Sequence, residues 1–247
     1  MGQLRLKRKA VAVYVAQIIG ALDVLHEQRV VYRSLTPASL MLDAEGHCQL
    51  GSFGLAKRLG GASNGRTYTL CAGALGYVAP EQLLHVGHGT AVDHWALGIL
   101  LCELLTGTHP FHPALCSFGA RGDEEGEIST VLDEASFHSG GDIEEGLAAV
   151  LQGDWSQTPM ASRLAASDRP AADLIGSLLA TDPTERPCTA GRTAALVQHP
   201  WFAARLGAEL SDVVERRVRP PLVVRGGAGA PRPGTGAVGE FWNASLE

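Results

Sequence analysis

The chain has 247 residues, 45% of them hydrophobic and 19% charged, and 20 Lys and Arg against 26 Asp and Glu leave a formal charge of −6. A mean hydropathy of +0.06 excludes both a chain too polar to build a core and one made mainly of membrane spans, and the acidic balance speaks against nucleic acid as a partner. Thirty glycines, about 12% against a usual level near 7%, place part of the chain in loops.

Residues 8–27 carry apolar side chains at helical spacing (Val11, Tyr14, Val15, Ile18, Ile19, Leu22, Leu25) and predict a core-facing helix. Gln17, Gly20 and Asp23 interrupt the same stretch, so no membrane partner is expected. The basic run 5–9 in front of it has neither a signal core nor a cleavage site. Residues 29–32 lead into a loop. Leu40, Met41 and Leu42, then Cys48, Gln49 and Leu50, flank the turn residues Asp43, Ala44, Glu45 and Gly46, which reads as a short β-hairpin.

A second helix is predicted over 91–105, hydrophobic nearly all round and therefore buried on most faces, with Gly107 as its cap and Pro110 beyond. Residues 113–141 form a Gly-, Ser- and acid-rich flexible insertion. Helical patterns return at 142–151, 171–179 and 189–198, and a short amphipathic piece follows Trp201-Phe202 to about Arg217. Residues 219–239, rich in Pro, Gly and Ala, read as an extended tail. The expected fold is mainly α with one short β-hairpin. The five cysteines (Cys48, Cys71, Cys102, Cys116, Cys188) are odd in number and include no C-x-x-C pair. They read as reduced thiols, in the cytoplasm or the nucleus.

The chemistry lies in ordered short runs: Tyr32-Arg33-Ser34-Leu35-Thr36-Pro37-Ala38-Ser39-Leu40-Met41-Leu42, Gly51-Ser52-Phe53-Gly54, Thr67-Tyr68-Thr69-Leu70-Cys71, Gly76-Tyr77-Val78-Ala79-Pro80-Glu81, Asp93-His94-Trp95-Ala96-Leu97-Gly98, Glu185-Arg186-Pro187 and His199-Pro200-Trp201-Phe202. In this order they resemble the catalytic loop, D-F-G segment, activation segment, A-P-E end and lower helices of the protein kinases. The wording is most similar to the AGC group, in particular the cAMP- and cGMP-dependent kinases. The resemblance implies a kinase C-terminal lobe over 1–204 and an AGC-like tail over 205–247. Because the sequence opens at the helix before the catalytic loop, the N-terminal lobe, with its Gly-rich loop and strand Lys, is expected to be absent.

The resemblance also assigns roles. Leu40, Met41 and Leu42 stand at the floor under the adenine, and Tyr32 and Phe53 at an apolar spine. Asp93 stands where the family caps the catalytic-loop backbone, and Glu81 and Arg186 where it has a buried ion pair. Thr69 matches the activation-loop phosphosite, with Arg33 and Lys57 as its basic partners, and Glu103 matches a position that reads an Arg in basic substrates. Ala38 replaces the other acidic partner in that recognition.

The departures fall on the catalytic groups. The base Asp, the loop Lys, the metal-binding Asn and the D-F-G Asp are replaced by Ser34, Thr36, Ser39 and Ser52. A serine hydroxyl does not ionise near pH 7, so it is no general base, and Mg²⁺ prefers charged or carbonyl oxygens. The expected function is therefore a partial, catalytically inactive kinase-like domain that binds or scaffolds a protein partner, without nucleic acid, membrane or cofactor. Its partner surface is expected around 142–155 and on the activation segment, beside an apolar floor left open by a lone lobe. The alternative is a serine/threonine kinase whose N-terminal lobe lies outside this sequence. Only that alternative brings ATP and Mg²⁺.

Overall fold

The computed structural model describes residues 7–60, 65–69, 74–111, 141–187, 196, 198–206, 210–218 and 220. The expected insertion over 113–141 apart from its last residue, most of the helix expected over 189–198, the tail beyond 220, and Cys71, Cys116 and Cys188 lie outside them. Cys48 and Cys102 are buried free thiols.

Helix α1, Arg8–Glu27, matches the predicted span. Its inward row, Val11, Tyr14, Val15, Ile18 and Leu22, is at most 1% exposed, and it packs on α3 (Ala91–Thr106), α7 (Pro200–Leu206), α8 (Leu210–Val214) and strand β3 (Cys48–Leu50). By length and composition α1 is also apolar enough to cross a bilayer, although Gln17, Gly20 and Asp23 interrupt it. Here Gln17 is buried and fully engaged: its amide lies 2.9 Å from His47 Nδ1 and its carbonyl accepts the Cys48 N–H at 2.9 Å. A polar residue on the core face is thus the tie between α1 and the hairpin.

The predicted hairpin forms, with β2 (Leu40–Leu42) antiparallel to β3 and Leu40 opposite Leu50. A second ribbon corrects the expectation of a single hairpin. Strand β1 (Val30–Val31) pairs antiparallel with β4 (Lys57–Arg58), Val31 opposite Lys57. Two-residue strands far apart in sequence leave no local period to read.

Helix α3 is buried from Ala91 to Cys102, as its all-round hydrophobicity requires. Gly98 lets it approach α6 (Arg169–Leu178): a Cβ there would sit 2.8 Å from Leu179 Cδ2 and 3.0 Å from Leu178 Cβ. Gly107, at φ 76°, closes the helix in the left-handed conformation, its N–H donating to Glu103 O at 2.7 Å.

Short α2 (Pro80–Leu83) precedes α3, and α4 (Gly141–Gln152) matches the prediction at 142–151. Helix α5 (Pro159–Ser167) was not foreseen, because only Ala161 and Leu164 are buried and the stripe is too thin to show a period. Its start is marked by Pro159 and by the Thr158 hydroxyl, which accepts the Ala161 N–H at 3.1 Å. Asp168 caps α6 in the same way at 3.2 Å and also meets Arg205 Nη2 at 2.5 Å, tying α6 to α7. The amphipathic piece expected up to Arg217 is two helices, α7 and α8.

Candidate functional site: the loop facing α3 and the cradle around Thr69

The centre of the lobe is organised by one carboxylate. Asp93, 1% exposed in the first turn of α3, accepts the Tyr32 N–H at 2.9 Å and the Arg33 N–H at 2.7 Å, and His26 Nε2 donates to it at 2.7 Å. The loop after β1 is thereby held with Arg33 at φ 60°, a left-handed conformation that costs a non-glycine residue about 1–2 kcal/mol. Charge-assisted bonds to two backbone donors suffice to hold it. His26 had no role in the sequence reading, since nothing local links it to Asp93.

Ser34, Thr36, Ser39 and Ser52 line this region with hydroxyls. Ser39 is 4% exposed, and its hydroxyl is committed to the loop itself: Oγ accepts the Thr36 N–H at 3.0 Å and donates to Thr36 O at 2.9 Å. Ser39 O then accepts the Gly51 N–H at 2.8 Å, which stitches the loop to the segment around Ser52. The Tyr32 hydroxyl donates to Gly51 O, and burial pushes that phenol up to about 12. Ser52 itself is exposed, at φ 51° and ψ 64°.

Phe53 lies edge-on to Tyr32, with ring centroids 5.4 Å apart, and is 50% exposed. Leu40, Met41 and Leu42 do not form one floor, because successive strand residues point to opposite faces. Leu40 is buried at 1% exposure, while Met41 and Leu42 are half-buried.

For the magnesium–nucleotide group that the fold implies, the side chains at the four matched positions do not fit. None is a carboxylate, one is consumed in a closed ring with Thr36, and neutral hydroxyls cannot offset the dehydration of Mg²⁺. Among the described residues no three His, Cys, Asp or Glu side chains converge to hold a metal ion.

A different cluster does converge. Arg33 Nη1 donates to Thr69 Oγ1 at 2.9 Å and Lys57 Nζ at 3.3 Å, while Thr67 Oγ1 lies 3.0 Å away. Lys57 is aimed by the β1–β4 ribbon, and Arg33 by Asp93 and by its own Nε bond to Leu55 O at 2.8 Å. Thr69 is exposed. Thr67 is held by an isolated antiparallel bridge to His88, with both N–H···O bonds made at 2.8 and 2.9 Å. Thr67 lies in one of the runs read from the sequence, whereas His88 does not, and no sequence signal pairs them.

Below the cradle, Arg186 is fully buried and meets Glu81 with both ends of its fork, Nη1 to Oε1 at 2.6 Å and Nη2 to Oε2 at 2.9 Å. Arg186 Nη1 also donates to Ala91 O at 2.9 Å and Nε to Ala180 O at 2.9 Å, and the guanidinium lies over the Trp95 ring at 5.1 Å. Glu103 accepts from the Tyr77 hydroxyl. Trp155, expected on an exposed docking face, is instead 6% exposed, its indole N–H donating to Ala172 O at 3.2 Å.

Comparison with known proteins places this architecture. The protein kinase domain family matches residues 2–202. The chain is 36% identical over 211 residues to a Caenorhabditis elegans protein named "cAMP-dependent protein kinase, catalytic subunit-like", covering 85% of this chain and 43% of that one. It is 35% identical over 211 residues to the Mus musculus "cAMP-dependent protein kinase catalytic subunit PRKX", covering 85% and 48%. A "cAMP-dependent protein kinase catalytic subunit" of Dictyostelium discoideum is 50% identical over 99 residues, covering 40% of this chain and 14% of its own length. The chain thus spans about half the length, or less, of the curated relatives it matches. With the helical lobe, the Asp93-gripped loop and the Glu81–Arg186 pair, these matches show that the chain belongs to the protein kinase domain family, on its AGC-like, cAMP-dependent-kinase side.

Proposed function

We propose that this chain is a kinase-type module that does not transfer phosphate and works in the cytoplasm by engaging a protein partner, in a scaffolding or regulatory role governed by Thr69. The observation that carries this reading is the state of Ser39: its hydroxyl donates to and accepts from Thr36 and is buried, so the position that would bind metal is spent on holding the loop. With Ser34 and Ser52 beside it, no group there ionises near neutral pH to accept a proton or to neutralise phosphate charge, and those two effects carry phosphoryl transfer.

The test is a nucleotide titration of the full chain with and without Mg²⁺, together with a transfer assay on mixed Ser/Thr peptides, set beside a Ser34→Asp/Ser39→Asn/Ser52→Asp variant. We expect no Mg²⁺-dependent nucleotide binding and no labelled peptide from the unmodified chain. Transfer by that chain would overturn the reading.

A second reading, a serine/threonine kinase whose nucleotide-covering half lies outside this sequence, is favoured by the loop backbone. The Asp93 grip and the left-handed Arg33 and Ser52 persist, although strained conformations usually accompany function. An in-frame Gly-rich loop and Val-Ala-x-Lys strand upstream of Met1 would support that second reading.

A further inference from the structure

The cradle around Thr69 contains a group with no part in the family pattern described above. His88 is 5% exposed, and its Nε2 is buried with no hydrogen-bond partner among the described residues. A buried polar nitrogen without a partner is costly, so its position needs a reason. The antiparallel bridge supplies the geometry. Directly paired residues put their side chains on the same face of a ribbon, with Cβ atoms roughly 5 Å apart, so His88 stands beside Thr67. The Thr67 hydroxyl touches Thr69 Oγ1, where Arg33 and Lys57 also end.

We propose that His88 is the titrating arm of a phosphate-holding cradle, so that a phosphoryl group on Thr69 is gripped by the fixed cations Arg33 and Lys57 and by an imidazole that takes up a proton when the group arrives. This rests on the reading of Thr69 as a regulatory site and adds its pH dependence. The modification requires a separate kinase and a nucleoside triphosphate. Thr69 Oγ attacks the γ-phosphorus, the Oγ–P bond forms as the bond to the nucleoside diphosphate breaks, and the hydroxyl proton leaves to solvent.

The charges facing His88 fit the role. Burial, then Arg33, and less strongly Lys57, lower its pKa from the ordinary histidine value, while Glu81 and Asp93 pull the other way. Glu81 is taken up by Arg186, and Asp93 by the loop N–H groups and His26. In the unmodified protein His88 is therefore neutral at pH 7. A phosphate bringing a charge of about −1.5 to −2 reverses the local field and favours the imidazolium. The grip then tightens as His88 takes up its proton on acidification, and slackens once the phosphate itself is protonated to the monoanion.

The test uses full-length protein with phosphothreonine placed at position 69 by expanded-code translation, beside the unmodified chain and His88→Gln. Histidine ring signals and the phosphorus resonance are followed by NMR from pH 5 to 9. We expect the His88 pKa to rise by about one unit or more on modification, and the phosphate's second pKa to be depressed less in His88→Gln than in the parent. The ring titration needs no mutation, so a misfolded His88→Gln leaves the test intact. An unmoved His88 pKa beside a depressed phosphate pKa overturns the His88 role and leaves Thr69 as a cradle of Arg33 and Lys57. A phosphate titrating like a free phosphothreonine overturns both.

Discussion

The Glu81–Arg186 pair and the row of hydroxyls from Ser34 to Ser52 lie in one lobe and have opposite chemistry. In the pair, two full charges are buried and Arg186 Nε, Nη1 and Nη2 each have an acceptor, from the carboxylate to the carbonyls of Ala91 and Ala180. In the cleft, Ser34, Thr36 and Ser52 are neutral where the family keeps charge, and the Ser39 hydroxyl is bonded to its own loop. The difference separates two demands on a kinase lobe. A framework charge is required by the fold, because removing it leaves its buried partner unpaired. A catalytic charge is required only by the reaction, and its loss leaves the backbone path in place.

The largest effect that probes this contrast is on the framework. Arg186→Met should cost about 3–5 kcal/mol, because it leaves Glu81 charged and 5% exposed without a partner. Arg186→Met/Glu81→Leu should regain most of that loss, since the pair itself is close to neutral against well-packed apolar groups. Urea unfolding of the two variants decides it. If the single variant unfolds at the parent's midpoint, the pair is not what holds α2 to the segment after α6. Next in size, Asp93→Ala should cost about 3 kcal/mol by orphaning the Tyr32 and Arg33 N–H groups. Hydrogen exchange should then quicken at those two amides before the rest of the lobe. Exchange that stays slow there would mean the loop holds itself.

How much of this was legible depended on how local each signal was. Helix α1, the β2–β3 hairpin and α3 follow from periods and turn residues within their own spans. The β1–β4 ribbon does not, because Val31 and Lys57 meet only in the folded chain, and α5 buries too few side chains to show a face. In the site, the positions of Ser34, Ser39 and Ser52 were readable from the motif order, yet the closure of Ser39 onto Thr36 was not. His26 and His88 were invisible for the same reason as the ribbon: each matters only for a residue distant in sequence. The half-exposure of Phe53 was not legible either, since its ring meets Tyr32 while its other side faces solvent.

The third effect is a pH dependence that comes mainly from the framework. His94, 1% exposed and next to Asp93, has its pKa driven well below the ordinary histidine value by burial, with the charges of His26 and Arg186 acting the same way. The folded state therefore keeps His94 neutral, while the unfolded chain takes up a proton near pH 6.5. Stability from this group is complete above that pH and is lost as pH falls below it, by up to about 1.4 kcal/mol per unit. His94→Phe should flatten the decline between pH 6.5 and 5, with His88 supplying a remaining slope of the same sign. Equal declines in parent and variant would remove His94 from the account.

The smallest effect lies on the cleft side and sharpens the contrast most. Ser52 is exposed and holds φ 51° and ψ 64°, a conformation that costs a non-glycine residue about 1–2 kcal/mol. No carboxylate remains there to repay the strain, so it is sustained from outside: by the Tyr32 hydroxyl on Gly51 O, the Gly51 N–H on Ser39 O, and Arg33 Nε on Leu55 O. Ser52→Gly should therefore stabilise the lobe by about 0.5 kcal/mol, the relieved strain less the extra freedom glycine gains in the unfolded chain. The change should leave the Thr69 cradle unaltered, since Arg33 is aimed by Asp93 and Leu55 and not by Ser52. Thermal unfolding measures the gain. A loss of stability instead would show that the Ser52 side chain supports the segment, and that the cleft, like the buried ion pair, is kept by the fold.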